Sequence, residues 1–556
     1  MEVNLPDIIK RILEARGITD LEGFLNPTLA DLAPPEDLPG IVAAADVILA
    51  ALADGRKVVV FGDYDCDGVC ATAILVRTLE TLGALVAPFL PDRQSEGYGM
   101  SARSVSRMLD ENPAVGLVVT VDNGINSVEP IAELKAKGIA VVVTDHHLPG
   151  DTLPAADVVV DPKVMAPESL ESLCGAGVAF LLANRLVSEA KRRGVYSGAN
   201  VGGPLLILAG LATVTDIMPL VGQNRILVSE ALKRFHSWAP IGLRELHVRA
   251  ARSGTDQLTS KDFGFMIGPR INAAGRLATL TDEDHLASGM RALELILAKD
   301  REIAREFARL VDDYNRQRKD IEQGMTEEAM AKVVPGAPAQ VIDLPDGHPG
   351  VAGIVAARVL ERLSGTAGPV CVIAGGHGSA RSPDGLNIRD AFVACDAVLE
   401  RYGGHAAAGG FSVKDGRVDD FRRMLCEYCT SHADDLLSVS GPKVDAEVAP
   451  ADITMELAEA VSRLEPFGIG NEEPVFGLKD VYFADVRPLG SEGKHLSVTL
   501  RGSRLRGVWW NRGDLVEPLR AESARPHDVA FTLTISDYGE RHVELRLVSI
   551  AESACR

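Results

Sequence analysis

No run of apolar residues in this sequence is long enough to cross a lipid bilayer. The longest, residues 204–214, falls well short of the roughly 20 residues that a membrane helix needs. The first residues, MEVNLPDIIKRILEARG, also have none of the charged-then-apolar order of a secretion signal. We therefore expect a cytoplasmic protein with no membrane partner.

Cysteine is scarce, with eight residues in a chain of 556. Scattered cysteines within apolar patterns such as PVCVIAGG are typical of small buried side chains in a reducing compartment, rather than of a disulfide framework. Only Cys426 and Cys429 form a close pair in the sequence, and no second pair completes a zinc ligand set. The pattern favours a structural role for this pair over a metal site, and it assigns neither cysteine a specific function.

Positive charge is also in deficit, because 57 lysines and arginines face 78 acidic residues and leave a net charge of -21. Broad nonspecific adhesion to nucleic acid needs positive surface that displaces counterions from phosphates, so this class of protein is disfavoured. A substrate that carries phosphate must therefore meet a metal ion or a local group of positive side chains.

The chain is too long for one hydrophobic core and should form several domains. From residue 40 to about 165, β-rich runs alternate with helical patterns, which predicts βαβ units and a parallel sheet. A second α/β pattern begins at AQVIDLPD, and short alternating runs after Gly441 indicate a small antiparallel barrel. The predicted parts are an N-terminal segment (1–40), a parallel-sheet α/β domain (41–285), a long connecting helix (286–335), a second α/β domain (336–435) and a C-terminal β-barrel (440–556).

The predicted connecting helix has apolar residues at spacings of three and four from Leu286 to Tyr314. The part from 300 to 332 alone would be about 50 Å long, although Asp300 interrupts the apolar stripe. Such a length favours a strut between two domains over a helix that covers one core.

Acidic residues follow directly after three of the predicted strands. Asp63, Asp65 and Asp67 come after KVVVF, Asp122 follows GLVVTV, and Asp145, His146 and His147 follow GIAVVVT. A parallel sheet brings the carboxyl ends of its strands to one edge, where ligands of α/β proteins bind. Residues far apart in the sequence are therefore predicted to form one acidic cluster.

Carboxylates this close together disfavour one another's ionisation and destabilise the fold unless a cation lies between them. Carboxylate oxygens with one or two imidazoles suit Mn²⁺ or Mg²⁺, and histidine favours Mn²⁺, whereas zinc more often has thiolate ligands. Six or more candidate ligands allow two ions, which together can bind a phosphate ester and activate water. The alternative is that each motif is an ordinary turn, where Asp, Asn and Gly are common. Three such endings on neighbouring strands favour the metal site.

Four motifs resemble those of the DHH phosphoesterase superfamily. They are DYDCDG at 63–68, VDNG at 121–124, TDHH at 144–147 and LATVTDIMPL at 211–220. Five further segments resemble the RecJ branch, whose members are single-strand-specific 5′ to 3′ exonucleases: YGMSARSV, GPRINAAGRL, HPGVAGIVAARV, GSARS and YGGHAAAGGF. The resemblance covers essentially the whole chain in order. It implies a parallel-sheet DHH domain, a second α/β domain of the DHHA1 type and a C-terminal OB fold.

The same resemblance implies the ligands of two Mn²⁺ or Mg²⁺ ions. They are Asp63, Asp65, Asp67, Asp122, His146 and Asp216. His147 is implied to contact the scissile phosphate, and Asp145 to orient an imidazole rather than to bind metal. Phe61 stands where many superfamily members have a histidine, a replacement typical of the RecJ branch. The first metal site is therefore either weaker or completed by Asp63.

Candidate contacts to DNA near the cluster are implied in GPRINAAGR, which supplies Arg270, Asn272 and Arg276. Arginine can pair two phosphate oxygens at once, and the glycines permit close approach of the backbone. The alternative is an arginine-rich turn paired with the acidic surface.

In the second α/β domain the candidates are Ser379, Arg381, Gly404 and His405. Arg381 and His405 suit a terminal phosphate and the glycines an anion-binding nest, whereas the alternative is a glycine turn with a structural histidine.

The C-terminal domain contributes Arg504, Arg506 and Trp509 as candidates. They lie in a stretch from Lys494 to Arg512 that has no acidic residue and includes two adjacent tryptophans. Proteins that bind single strands combine such basic tracks with aromatic stacking surfaces. Because side chains alternate along a strand, one tryptophan must face the interior.

The resemblance implies a metal-dependent exonuclease that degrades single-stranded DNA from the 5′ end to mononucleotides in DNA repair and recombination. It implies a monomer whose partners are single-stranded DNA, a single-strand-binding protein and a helicase. One alternative is a DHH-family phosphoesterase that acts on pyrophosphate, short oligonucleotides or cyclic dinucleotides, which the C-terminal barrel disfavours. The other is a noncatalytic replication scaffold, which the complete set of acidic ligands disfavours.

Overall fold

Three β-sheets with their covering helices make up the fold, which we describe from a computed structural model. The structure describes residues 5–97, 99–199, 201–250, 258–277, 289–363, 368–432, 443–536 and 540–553. Within these ranges, no helix is both long enough and apolar enough to pass through a bilayer.

The first sheet is parallel and lies in the N-terminal half of the chain. Its strands are β1 (Lys57–Phe61), β2 (Val86–Phe89), β3 (Val115–Val121), β4 (Ala140–Thr144) and β5 (Val158–Val160). The helices of this half are α1 (Asp7–Ala15), α2 (Leu21–Leu25), α3 (Ile41–Ala53), α4 (Cys66–Thr81), α5 (Ala102–Glu111), α6 (Val128–Ala136), α7 (Pro162–Met165), α8 (Gly175–Arg192), α9 (Gly202–Thr215), α10 (Gly222–Trp238) and α11 (Ile241–Ala250). The strand order is β2, β1, β3, β4, β5 with every pair parallel, which confirms the predicted α/β class.

β2 is the one strand of this sheet that the sequence pattern did not predict. It lies at the edge of the sheet, has four residues and contains Pro88. Proline cannot donate to a ladder of hydrogen bonds, so it is confined to edge strands and weakens the pattern there. The other strands are rich in valine, and most of their residues are buried. Burial on both faces is expected where helices cover a parallel sheet.

α9 accounts for the longest apolar run in the sequence. Its residues from Leu205 to Thr213 are all buried, and the helix packs against α4, α8 and α10. A helix that is apolar on all sides lies inside a core. This packing carries Asp216, the residue directly after α9, to the carboxyl edge of the first sheet.

The second sheet belongs to the second α/β domain. Its strands are β6 (Gln340–Leu344), β7 (Val370–Ala374), β8 (His377–Arg381), β9 (Leu399–Gly404) and β10 (Ala408–Val413), in the order β6, β7, β8, β10, β9. The helices between the two sheets and beside the second are α12 (Ser260–Asp262), a π-helical turn (Phe263–Ile267), α13 (Gly268–Leu277), α14 (Met290–Leu297), α15 (Arg301–Ala331), α16 (Ala352–Arg362), α17 (Ile388–Ala394) and α18 (Val418–Ser431). Cys426 and Cys429 lie on α18 and pack with the core of this domain as free thiols.

The predicted single helix over 286–335 is wrong, because the described part of this stretch, residues 289–335, contains two helices. α14 ends at Leu297, and α15 continues for 31 residues, about 46 Å at the standard rise. Asp300 caps α15: its carboxylate accepts hydrogen bonds from the N–H groups of Glu302 and Ile303 at 2.8 and 3.0 Å. An aspartate that satisfies these free N–H groups starts a new helix rather than continuing the old one.

α15 contacts both α/β domains. Near its start, Arg301 and Arg305 pair with Glu245 of α11 at 2.6 and 3.1 Å. Further along, Glu322 pairs with Arg358 of α16 at 3.1 Å. The helix therefore lies between the two domains in the manner of a strut.

The third sheet forms the C-terminal barrel. Its strands are β11 (Ala446–Glu447), β12 (Phe476–Val481), β13 (Phe483–Leu489), β14 (His495–Leu500), β15 (Arg506–Trp509), β16 (His527–Ser536) and β17 (His542–Glu552), in the order β11, β12, β16, β17, β15, β14, β13. Two short helices, Met455–Ser462 and Val516–Ala521, pack against the strands.

The first helix of the chain is part of the core of this barrel. Ile9, Ile12 and Leu13 of α1 are buried in one cluster with Phe476 and Phe531 of β12 and β16. The N-terminal segment therefore does not stand apart from the other domains. Its part up to Leu25 completes the core of the last one, whereas Leu38 belongs to the core of the first α/β domain.

We expect Ile9→Ala to destabilise the barrel, because Ile9 is fully buried in its core. Replacing a buried isoleucine by alanine costs about 2–5 kcal/mol. Hydrogen exchange at the amides of β12 and β16 should therefore become faster. Glu14→Ala, at an exposed position of the same helix, is the control. Equal exchange in the two variants would show that α1 does not support the barrel.

Candidate metal centre

The turn between β1 and α4 holds three of the aspartates. Asp65 caps α4, and its Oδ1 atom accepts hydrogen bonds from the N–H groups of Asp67 and Gly68 at 3.0 and 3.1 Å. Glycine is required at position 68, since a Cβ there would lie 2.6 Å from atoms of Asp63. The turn therefore folds tightly on itself and brings the three carboxylates to the start of one helix.

Asp67 is held by the start of a second helix, α8. Its two carboxylate oxygens accept hydrogen bonds from the N–H groups of Gly175 and Ala176, each at 2.7 Å. Such N–H groups have no partner within the helix, and the helix dipole adds positive potential. The close approach also depends on glycine, because a Cβ on Gly175 would lie 2.6 Å from the Cβ of Asp122.

Asp122, which follows β3, has a backbone φ of 59°. This left-handed conformation is uncommon for residues other than glycine, and such strain clusters at functional sites. Asp122 is also almost fully buried, at 2% exposure. An ordinary exposed turn would need neither feature.

His146 lies at the centre of the cluster. Its Nε2 atom is 3.1 Å from Asp122 Oδ1, 3.7 Å from Asp67 Oδ2 and 3.7 Å from Asp216 Oδ2. Asp122 and His146 come after the ends of β3 and β4, Asp216 follows α9, and Asp67 lies at the start of α4 after β1. The parallel topology predicts that the strand ends meet at one edge. The structure therefore brings the residues of all four sequence motifs to one place.

Two sets of three ligand atoms lie next to each other. Within each set the atoms lie within 4.8 Å of one another: Asp67, His146 and Asp216 form one set, and Asp63, Asp65 and Asp122 form the other. A third group of the same kind, Asp122, His146 and His147, overlaps both sets. The short distance between Asp122 and His146 joins the two sets. The residues of the two sets would therefore be able to hold two divalent ions.

The protein alone leaves atoms of this cluster unsatisfied. Both carboxylate oxygens of Asp63 are buried without a hydrogen-bond partner, and so is Nε2 of His146. Buried polar atoms are normally paired, so such orphans indicate a missing ligand. The donors are carboxylate oxygens and an imidazole nitrogen, which fit Mn²⁺ or Mg²⁺. Among the described residues, the groups able to hold a metal contain no cysteine.

Burial and mutual repulsion raise the pKa values of the clustered carboxyl groups. Desolvation, followed by the charges of neighbouring aspartates, raises the pKa of Asp63 and Asp122 well above the ordinary value. The same causes raise the pKa of Asp216 to about 8. Without cations, these groups would have to bind protons at neutral pH. The cluster is therefore built for positive charge that the chain itself does not supply.

His147 differs from His146 because it has a carboxylate partner of its own. Its Nδ1 atom lies 2.7 Å from Oδ1 of Asp145, whose other oxygen accepts a hydrogen bond from the N–H group of Ile125 at 2.9 Å. Burial lowers the pKa of His147, but the hydrogen bond and charge of Asp145 outweigh burial and raise it to about 9. Asp145 therefore orients His147 and favours its imidazolium form.

The cleft beside the cluster also contains residues that sequence reasoning missed. Its volume is about 290 Å³, and Tyr64 and Arg93 are among its lining residues. The guanidinium of Arg93 lies 5.1 Å from the ring centre of Tyr64. Arg93 comes shortly after β2, so recognising that edge strand would have placed it at this edge of the sheet. Asp161, a buried carboxyl group at the end of β5, was missed as well.

Two of the three candidates in GPRINAAGR reach the cleft. Asn272 and Arg276 line it, and Asn272 Oδ1 accepts a hydrogen bond from the N–H group of Cys66 at 2.8 Å. Arg270 is not among the lining residues described. Its guanidinium instead pairs with Asp312 of α15 at 2.8 Å and donates to the carbonyl of Met266 at 2.6 Å. These contacts match the alternative in which an arginine-rich segment pairs with an acidic group of the protein.

Arg276 links the cleft to the second α/β domain. Its Nη1 atom donates to the carbonyl of Gly350 at 3.1 Å, just before α16. At the start of α16, a Cβ on Gly353 would lie 3.0 Å from Arg381 Nη2 and 3.5 Å from Ser379 Oγ. Ser379 and Arg381 thus converge beside the start of this helix.

Gly404 is the last residue of β9, and His405 begins the connection to β10; both residues are exposed. Gly404 has a φ of 126°, and the N–H group of His405 donates to the carbonyl of Ala408 at 2.8 Å. These contacts hold a tight hairpin. None of them joins Gly404 or His405 to the pair of Ser379 and Arg381.

The candidates of the barrel lie on or beside β15. Arg504 is exposed, whereas Arg506 donates to Ser497 Oγ at 2.9 Å. Trp509 packs against the barrel core, and the guanidinium of Arg512 lies 4.8 Å from its ring centre. Trp510 is 53% exposed and makes an edge contact with His495. The alternation of side chains along the strand thus makes Trp510, rather than the predicted Trp509, the more open stacking surface.

Three family models match successive parts of the chain. The DHH family, N-terminal domain, matches residues 57–200, the DHHA1 domain matches 336–431, and the RecJ OB domain matches 444–549. These ranges coincide with the three sheets described above.

Relatives that match over nearly the whole of this chain belong to the same family. The single-stranded-DNA-specific exonuclease RecJ of Dickeya dadantii is 34% identical over 98% of this chain and 95% of its own length. The crystal structure of RecJ from Thermus thermophilus in complex with Mn²⁺ matches with a TM-score of 0.82 at 32% identity, covering 99% of this chain and 76% of that chain. The structure of the same protein with Mg²⁺ has a TM-score of 0.77 at 31% identity, covering 99% and 75%. On its motifs, its three domains and these relatives, the chain belongs to the RecJ family of the DHH superfamily.

Proposed function

We propose that this protein is a metal-dependent exonuclease that degrades single-stranded DNA from the 5′ end to mononucleotides in DNA repair and recombination. The observation that carries the proposal is the convergence of five aspartates and one histidine into two adjacent ligand sets. Relatives named as single-stranded-DNA-specific exonucleases support the substrate. Relatives solved with Mn²⁺ and with Mg²⁺ support these ions as cofactors.

Different residues at this site are suited to different parts of phosphodiester hydrolysis, namely metal binding and hydrogen bonding to the phosphate. When bound, Mn²⁺ or Mg²⁺ supplies the Lewis acid that lowers the pKa of water and neutralises the phosphate. Asp67, fixed by the start of α8, would hold one ion together with His146 and Asp216. Asp63, Asp65 and Asp122 would hold the other ion. His147, kept as an imidazolium by Asp145, is suited to donate to a phosphate oxygen on which negative charge accumulates.

The polarity of cleavage follows from a second anion site. Ser379 and Arg381 converge at the start of α16, where Arg276 of the cleft contacts Gly350. A terminal 5′ phosphate bound at this place would be connected to the cleft through the contact of Arg276 with Gly350, and an arginine fork suits its oxygens. A chain end without this phosphate would lose the contact, which favours entry from the 5′ end.

The proposed cellular setting follows from this substrate. We expect the protein to act as a monomer in the cytoplasm, where a helicase and a single-strand-binding protein supply and cover unpaired strands. Seven described cysteines are free, which accords with a reducing compartment.

We expect Asp122→Asn to lose cleavage and to retain DNA binding. The substitution removes the carboxylate that joins the two ligand sets, and asparagine tolerates the left-handed backbone at this position. The rate should fall by at least about 100-fold, the scale for losing one group that stabilises the transition state. Product analysis on 5′- and 3′-labelled single strands with Mn²⁺ measures both rate and polarity. Asp110→Asn, at an exposed position of α5, is the control.

Three outcomes of this assay would contradict the proposal. Full activity of Asp122→Asn would reject the site. Faster cleavage of a dinucleotide than of a long strand by the unaltered protein would favour the short-substrate phosphoesterase. Absence of mononucleotides with either ion would favour the noncatalytic scaffold.

We expect removal of divalent ions to destabilise the unaltered protein, because the clustered carboxylates then repel one another or must take up protons. At a free Mn²⁺ concentration 100 times the dissociation constant, linkage adds about 2.7 kcal/mol of stability per site. Differential scanning fluorimetry after chelation and after Mn²⁺ addition measures this change. A melting temperature that does not respond to Mn²⁺ would argue against binding at the cluster.

We expect Trp510→Ala to weaken binding of long single strands, because the open ring of Trp510 offers a stacking surface for a base. Loss of one base stack costs about 1–3 kcal/mol. Fluorescence anisotropy with a long oligonucleotide measures the loss, and Trp510→Phe should retain most of the affinity. Cleavage of a dinucleotide too short to reach the barrel should remain unchanged. Equal affinities of Trp510→Ala and the unaltered protein would exclude this surface.

A further inference from the structure

The segment PFGIGNEE, residues 466–473, has no place in the chemistry described above. We name it the linker loop, since it connects helix Met455–Ser462 to β12. Asn471 organises it from within: its side chain is almost fully buried, and Nδ2 donates to the carbonyls of Leu464 and Pro466, both at 2.9 Å. The backbones of Gly468 and Asn471 also hydrogen-bond to each other at 3.0 and 3.1 Å. The loop is therefore a defined structure rather than a slack connection.

The linker loop packs directly on the chain that follows Asp216. We name residues 216–221 the Asp216 turn. The N–H group of Leu220 donates to the carbonyl of Ile469 at 2.7 Å. A Cβ on Gly468 would lie 2.7 Å from Cδ1 and 3.0 Å from Cγ of Leu220, so a side chain added there would have to displace Leu220. Leu220 itself is only 2% exposed and anchors the turn beneath the loop.

Other contacts fix the linker loop to the catalytic domain on both sides of the Asp216 turn. Ser260 Oγ donates to the carbonyl of Phe467 at 2.6 Å, and Lys261 pairs with Glu473 at 2.7 Å. Just before the loop, Arg225 of α10 donates to the carbonyl of Glu465 at 3.0 Å. The loop is thus held by elements of the domain that contains the metal centre, independently of Leu220.

Two hydrogen bonds close the Asp216 turn at the end of α9, from the N–H groups of Ile217 and Met218 to carbonyls of that helix. The turn nevertheless includes an unfavourable backbone conformation. Ile217 has a φ of 58°, a left-handed backbone that β-branched residues rarely adopt. Its side chain is 67% exposed, so packing of that side chain does not stabilise the turn. Asp216 ends α9, where the helix dipole disfavours negative charge. Both features would relax if the turn were free to move.

Asp216 is the candidate ligand whose position depends most on such a turn. Asp67 is held by two N–H groups of α8, and Asp122 and His146 follow buried strands. The Asp216 carboxylate instead lies on the more exposed side of the cluster, 3.7 Å from His146 Nε2. A small displacement of the turn would therefore remove this carboxylate from its ligand set before any other.

We propose that the linker loop is a positioning element of the metal centre, which clamps the Asp216 turn and thereby holds Asp216 in its ligand set. This inference rests on the proposed metal-dependent function and adds a role for the C-terminal half of the chain apart from contact with DNA. Gly468 and Asn471 are positioning residues in this scheme. They act through Leu220 and the backbone of the turn.

The test introduces a side chain where the linker loop meets Leu220. Gly468→Val should push the loop from the turn and weaken Mn²⁺ binding about 5- to 10-fold, measured by electron paramagnetic resonance of free Mn²⁺. Hydrogen exchange of the peptide that contains residues 216–221 should become faster in the metal-free protein. Gly324→Ala, at an open position of α15, is the control.

A second variant guards against misfolding. Asn471→Ala introduces no clash but removes the two hydrogen bonds that shape the linker loop, so it should also weaken Mn²⁺ binding. KM for a long single strand at saturating Mn²⁺ should change less than twofold in both variants. A raised KM with unchanged Mn²⁺ binding would overturn the inference and assign the loop to holding the barrel. If the unaltered protein releases no nucleotides with Mn²⁺, the proposed function fails, whereas Mn²⁺ binding and hydrogen exchange still decide the role of the loop.

Discussion

Repulsion among buried carboxylates is the constraint on which this structure depends. Asp63, Asp65, Asp67 and Asp122 lie at one edge of a sheet, where burial and neighbouring charges raise the pKa values of Asp63, Asp65 and Asp122. The protein offsets only part of this cost, chiefly through the start of α8 against Asp67. Bound cations must offset the remaining repulsion, so the fold depends on metal at this buried edge of the sheet.

Much of this site could be predicted from the sequence because it is built from strand ends. Parallel strands deliver the residues that follow them to one edge, so Asp122 and His146 could be placed together without knowledge of any contact. Arg93 and Asp161 obey the same rule. Arg93 was missed because β2 is a short edge strand containing proline, and its pattern was too weak to predict a strand.

The residues that sequence reasoning misplaced depend on partners distant in the chain. Arg270 stands in a segment rich in glycine and arginine, but its guanidinium pairs with Asp312, which lies on a different helix. The choice between Trp509 and Trp510 depended on the register of β15 relative to the barrel core. Asp300 marks the break before α15 in the sequence and caps this helix in the structure. A single polar residue in an apolar pattern does not show whether it caps a new helix or lies within a continuous one. Local pattern specifies elements, whereas tertiary packing decides which face of an element is used.

The burial of α1 within the barrel has a consequence for biosynthesis. Ile9 and Leu13 belong to a core whose other members, such as Phe476 and Phe531, are translated long after them. During translation the apolar face of α1 has no barrel strands to pack against while the two α/β domains are synthesised and fold. The core of the barrel can therefore be completed only after its strands have been translated, so this domain folds later than the two α/β domains that precede those strands.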